Sequence, residues 1–226
     1  EVDDDLSQIF KPAEDVLAIA DRTGGIKLID PTSGETKLDV EVPDLAGGIV
    51  DGRIDAGVLY IYGLHRRSER PRPGSPQQQW SLAAIRVDSG DVLWSKTDLG
   101  PQACLTPEVL TVSTQAIPLL AYRSAGSEMR GDHGTGPIAI PTARRAKVEL
   151  MILDKATGAT IGDTVSLDVD SADGAAIMLD LQVWPNRATA FVGTNYIRFG
   201  LLPPGGRGGA ASEIGKGHPR PALDDD

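Results

Sequence analysis

The chain has 226 residues, room for one large all-β domain or two small ones. Its formal net charge of −10 argues against nucleic acid or an anionic lipid surface as a partner of the whole molecule. With 26 Gly and 16 Pro it is rich in turn formers and poor in candidates for long helices, and its single cysteine, Cys104, excludes an internal disulfide.

Residues 1–11 read as an acidic segment without pattern, opening with Asp3, Asp4 and Asp5. No apolar leader precedes them and the chain starts at Glu1, as expected of a processed product or a piece of a longer protein. Strand-like text begins at 16–20, and the turn Thr23-Gly24-Gly25 leads to a second run at 26–29. Beyond it Leu38, Val40 and Val42 alternate with Lys37, Asp39 and Glu41, the period of a strand with one wet face. The order then recurs: 49–54, 58–62, 80–87 and 91–95 in a second unit; 108–112, 117–122, 148–153 and 160–167 in a third; 176–183, 188–192 and 196–202 in a fourth. The strongest apolar runs, such as 58–62, are of strand length and far short of a membrane span, so membrane insertion is not expected. Residues 204–226, with Gly205, Gly206, Gly208 and Gly209, have the composition of a disordered tail.

One phrase recurs three times between the last two strands of a unit. Ile29-Asp30-Pro31-Thr32-Ser33-Gly34, Ile85-Arg86-Val87-Asp88-Ser89-Gly90 and Leu153-Asp154-Lys155-Ala156-Thr157-Gly158 each close a β run with a Ser/Thr-Gly turn. From Gly34 to Gly90 is 56 residues and from Gly90 to Gly158 is 68, more than the roughly 40–45 of a four-stranded blade. The excess sits between second and third strands. That link is 3 residues in the first unit (22–24), 16 in the second (64–79) and 23 in the third (124–146). Shortening both long links to 3 leaves repeats of 43 and 48. The expected fold is therefore an all-β propeller segment of about four blades over residues 12–203, with 1–11 and 204–226 outside it. Both long links occupy the same position in their units, so both are expected on one face.

The phrase resembles the repeat of pyrroloquinoline-quinone (PQQ)-like propellers, Ala-x-Asp-x-x-Thr-Gly-x-x-x-Trp. Ala84, Ser89, Gly90 and Trp94 match in the second copy, with Arg86 at the Asp position. Asp30, Ser33 and Gly34 match in the first, where Leu38 replaces Trp, and Asp154, Thr157 and Gly158 in the third, where Gly162 does. The resemblance implies structural roles for these residues: the Asp or Ser closes the turn, the Gly takes a positive φ, and the Trp packs between blades. Quinone-binding members of such a family use an adjacent Cys-Cys disulfide, which one Cys cannot form, so no cofactor is expected. The other members are mostly scaffolds of the periplasm or cell envelope with seven or eight blades, so further blades from the same parent chain are expected as neighbours.

The first long link carries His65, Arg66, Arg67, Arg70 and Arg72 with Glu69, and the second Arg130, Arg144 and Arg145 with Glu128 and Asp132. Guanidinium forks clustered this way fit carboxylates or phosphates on a partner; the alternative is a solvated Pro-rich loop. Asp168, Asp170 and Asp173 before Gly174 approach a calcium loop, but the spacing is off by one residue and no closing Glu follows, so no metal is expected. Asp132-His133-Gly134 lacks the serine context of a protease, and no catalytic set assembles elsewhere. The function expected is a non-catalytic protein-interaction scaffold that binds partner protein through the long-link face. The alternative is a fragment of a quinone-dependent or sugar-processing enzyme whose catalytic residues lie outside this chain.

Overall fold

In the strand Val16–Asp21 every second residue is buried, and the next strand continues the alternation with Ile26 and Leu28 inside and Lys27 exposed. A sheet built on this period buries the alternate side chains of a strand against one neighbouring layer, and four such sheets follow one another along the chain. The computed structural model describes residues 6–66, 78–97, 99–100, 102–104, 107–111, 113, 115–124, 138–140, 145–170, 177–184, 187–192, 195–200 and 211–216.

The first blade is β1 (Leu6–Ala13), β2 (Val16–Asp21), β3 (Gly25–Ile29) and β4 (Thr36–Glu41), paired antiparallel in chain order. A one-turn 3₁₀ helix, Pro43–Leu45, leads to the second: β5 (Ile49–Asp55), β6 (Val58–Arg66), β7 (Gln78–Arg86) and β8 (Val92–Lys96). The third uses β9 (Gln102–Cys104), β10 (Ala116–Ser124), β12 (Arg145–Asp154) and β13 (Val165–Asp170), with α1 (Pro107–Thr111) between its first two strands. The fourth is β14 (Ile177–Trp184), β15 (Arg187–Val192), β16 (Asn195–Gly200) and β17 (Ala211–Lys216), with β11 (Ile138–Ile140) added beside β14.

Three apolar layers join these sheets face to face. Ala18, Ile26, Leu28 and Leu38 of the first blade meet Leu59, Ile61, Ala83 and Ile85 of the second. Tyr60, Tyr62, Leu82 and Trp94 on the other side of the second meet Ile117, Leu119, Met151 and Leu153 of the third. Leu120, Leu150 and Ile152 of the third meet Ala188, Ala190, Val192 and Ile197 of the fourth. Sheets stacked radially in chain order, each a four-stranded meander, are the blades of a β-propeller. The chain is an all-β propeller segment of four blades.

Four details differ from the sequence reading. The first strand begins at Leu6, inside the segment read as patternless, because Phe10 and Pro12, two apart, turn inward while Ile9 and Lys11 stay exposed. Residues 108–112, expected as a strand, lie largely in α1, whose Pro107 and Glu108 suit a helix start, and the inner strand is β9 instead. Ile138–Ile140, part of the second long link, pairs with Ile177–Leu179 of the next blade. Within the stretch read as tail, Ala211–Lys216 pairs with β16 and completes the fourth sheet. The last two are short segments fixed by a partner strand rather than by their own pattern.

Candidate functional site

The three repeated turns have one architecture. Gly34, Gly90 and Gly158 stand at φ of +75°, +76° and +68°, and each donates its N–H to the carbonyl of Asp30, Arg86 and Asp154 respectively, at 2.8–2.9 Å. In the first copy the Asp30 carboxylate accepts from the N–H of Thr32 (2.8 Å) and Ser33 (3.1 Å). In the third, Asp154 accepts from Ala156 and Thr157 N–H at 2.9 Å and from the Thr157 hydroxyl at 3.0 Å. The second copy has Arg86 at this position, and there Ser89 Oγ donates to Asp91 at 2.6 Å. The amides of Thr32 and Ser33, then Lys37, hold the Asp30 carboxyl below its ordinary range.

These turns are also sockets at the blade seams. A Cβ on Gly158 would stand 2.6 Å from the Trp94 ring of the preceding blade, and Trp94 Nε1 donates to the Lys155 carbonyl at 2.9 Å. One seam earlier Leu38, the residue at the Trp position, places its Cδ1 3.3 Å from where a Cβ of Gly90 would lie.

Beneath Trp94 sits a buried ionic contact that nothing in the pattern of the sequence signals. Lys155 is 3% exposed, its Nζ lies 2.6 Å from Asp55 Oδ2 and 5.0 Å from the Tyr60 ring centroid. Its backbone N–H donates to Gln115 O at 2.9 Å. Asp55 belongs to the tight turn between β5 and β6, Lys155 to the turn between β12 and β13, so the contact links second and third blades at their tight-turn end. Burial, then Asp55 and Asp154, raise the Tyr60 phenol to about 12.

The opposite end carries the long links. Both run between second and third strands, β6 to β7 and β10 to β12, and the seam contact between Asp55 and Lys155 shows that the two blades point the same way. Strand pairing persists into the first link as far as Arg66 opposite Gln78, and into the second as far as Ser124 opposite Ala146. His65 lies on β6, with Nδ1 3.1 Å from the Asp44 carbonyl oxygen; a carbonyl only accepts, so that nitrogen carries the proton. Asp44, in the 3₁₀ helix, also accepts from Ser95 Oγ. Gly47 donates to Leu64 O at 2.7 Å and Leu64 to Gly48 O at 2.8 Å, and a Cβ on Gly47 would stand 2.5 Å from Leu64 O. The root of the first link is thus braced by the crossover from the first blade. Arg66 ends β6, and Arg145 opens β12 opposite Asp170. Arg67, Arg70, Arg72, Arg130 and Arg144 lie outside the described residues, as do Asp132, His133 and Asp173. Among the described residues no group of three or more His, Cys, Asp or Glu is placed to hold a metal, and no helix is long and apolar enough to cross a membrane.

No family model matches the chain, and no curated protein is similar to it in sequence. Several solved structures are similar in fold. BamB from Moraxella catarrhalis is 17% identical over 82% of this chain and 46% of its own, with a TM-score of 0.40. The computationally designed Ika8 protein is 9% identical over 94% of this chain and 49% of its own, with a TM-score of 0.44. A complex of KlAtg21 with the coiled coil of AgAtg16 matches at 8% identity over 94% of this chain and 71% of that one, with a TM-score of 0.34. The chain spans about half the length of the first two.

Proposed function

We propose that the chain is a non-catalytic interaction scaffold built on PQQ-like blades, and that it binds an acidic segment of a partner protein through its long-link end. The observation that carries this reading is the contrast between the two ends. At one end, residues 14–15 and 56–57 and the three Gly turns close the chain tightly, and the link between β9 and β10 carries the helical turn α1. At the other, the links between strands ending at Arg66 and beginning at Gln78, and between Ser124 and Arg145, leave side by side in the same sense. Rigid blades presenting elaborated loops at one end are the usual layout of a repeat protein's binding surface. The arginines at 66, 67, 70, 72, 130, 144 and 145 give that end forks for carboxylates within a protein of net charge −10. The PQQ-like assignment is supported by the Trp94 ring seated on the Gly158 turn.

Replacing residues 67–77 by a two-residue turn spares every paired strand residue. The expected result is loss of partner capture from an extract of the parent cell with the thermal midpoint within a degree or two of the parent's. The quadruple change of Arg66, Arg67, Arg70 and Arg72 to Ala is expected to do the same, and the captured complex to weaken with added salt. Undiminished capture by both variants would count against this surface.

A further inference from the structure

The second long link is held at a third point besides its two ends. It runs from Ser124 to Arg145, and within it β11 (Ile138–Ile140) pairs antiparallel with β14: Ile138 with Leu179, Ala139 with Met178 and Ile140 with Ile177. The link thus leaves the third blade, takes a place beside the first strand of the fourth, and returns to the third. Among the described residues the fourth sheet alone has a strand outside its first; in the other three sheets β1, β5 and β9 are edges. We propose that β11 is a clasp. It pins the second link across the third and fourth blades, so that the long-link end meets a partner as a preformed surface, a role that rests on the reading of that end as the binding surface.

Position and sequence both fit a clasp. β13 ends at Asp170, opposite Arg145 where β12 opens, and β14 opens at Ile177, so β11 sits at the end of the blades from which the link leaves. Pro137 and Pro141 flank the strand in the sequence. Proline has no N–H to give to a ladder, and Pro141 keeps Ile140 out of the helical region. The pairing is therefore confined to three residues, and the unpaired chain is already biased to the extended form. Unpinned, residues 125–144 would be one loop of 20 residues; pinned, they are stretches of 13 (125–137) and 4 (141–144). Glu128, Arg130 and Asp132 fall in the longer stretch and Arg144 in the shorter, next to Arg145. A four-residue stretch spans at most about 17 Å, so the clasp ties the Arg144-Arg145 pair to the first strand of the fourth blade. A pinned link has fewer conformations to lose on binding, and a link pinned only part of the time binds with its affinity reduced by that fraction.

The triple change Ile138→Gly, Ala139→Ser and Ile140→Gly keeps the length of the link and removes its strand formers. Ala139→Pro alone takes one N–H from the ladder and is expected to act in the same direction more weakly. Hydrogen exchange read by mass spectrometry on the full chain should find 138–140 and 177–179 slow in the parent and fast in the triple variant, with β12 and β15 as slow as before. Binding of a fluorescein-labelled decaglutamate peptide at low salt, followed by stopped flow, should weaken about tenfold in the triple variant. The loss should lie in the association rate, since the contacts of the bound peptide are unchanged. Fast exchange at these positions in the parent, or full peptide affinity in the triple variant, overturns the clasp. So does a loss confined to the dissociation rate, because β11 would then be touching the peptide. The quadruple arginine variant run alongside separates the two readings. If it loses affinity and the triple variant does not, the surface stands and the clasp fails. If it keeps full affinity, or the parent does not bind the peptide, the binding surface itself fails and the role of the clasp falls with it.

Discussion

At the scale of single residues, the centre of gravity is Lys155. A lysine 3% exposed is stable only if its charge is met, and Asp55 at 2.6 Å meets it with Tyr60 alongside. Breaking a fully buried pair costs about 3–5 kcal/mol. The Asp55 side chain is 32% exposed, so water offsets part of that. Lys155→Ala is expected to cost about 2 kcal/mol in a urea titration, and the double change with Asp55→Ala to cost less than the sum of the single changes. Trp94→Phe keeps an aromatic ring but removes the bond from Nε1 to the Lys155 carbonyl, for about 1 kcal/mol. Tyr60 sets an alkaline limit. Its phenol is raised to about 12, so its contribution is complete below the ordinary tyrosine range and is lost as pH rises through 12. The unfolding midpoint of the parent should fall more steeply between about pH 10 and 12 than that of Tyr60→Phe.

At the scale of elements, the repeated turn does two jobs, and glycine substitutions separate them. At Gly34 only the positive φ opposes a side chain, so Gly34→Ala is expected to cost about 1 kcal/mol. At Gly158 the same φ is joined by the Trp94 ring 2.6 Å from the new Cβ, and Gly158→Ala should cost clearly more in the same urea titration. Asp30 gives the turn an acid dependence. Its carboxyl is held below the ordinary range, so its contribution is present above that range and lost as pH falls through the lowered value. Asp30→Asn should flatten the acid side of the stability profile, read as thermal midpoint against pH. The elements hardest to read in advance were those defined by a neighbour. β9, β11 and β17 are 3, 3 and 6 residues long and carry no pattern of their own. Residues 108–112 spell an apolar run that suits either structure, and Pro107 tips it to a helical turn.

At the scale of the molecule, the blades stack by apolar layers whose chemistry changes along the arc: mainly aliphatic at the first seam, aromatic on aliphatic at the second, and Leu and Ile of the third blade on the smaller Ala188, Ala190 and Val192 of the fourth at the third. The stack orients the three repeated Gly turns to one end and the two long links to the other, and the proposed binding role rests on that contrast. Shortening the first long link is therefore expected to change partner capture and to leave the paired strands and their thermal midpoint as they are.

The repeat, the four sheets and the positions of their turns were legible in the amino-acid order, because local alternation and a Ser/Thr-Gly turn are written in consecutive residues. So was the packing of Trp94 between two blades. The partners of those turns were not. Lys155 stands in a turn phrase that reads as solvent-exposed, and its carboxylate lies 100 positions away, so only the stacking of one blade on the next brings the two charges together and takes the lysine from water. The open socket at Gly34 is likewise invisible in sequence, where it matches its filled counterparts; whether a side chain occupies it depends on which blade stands before it in space.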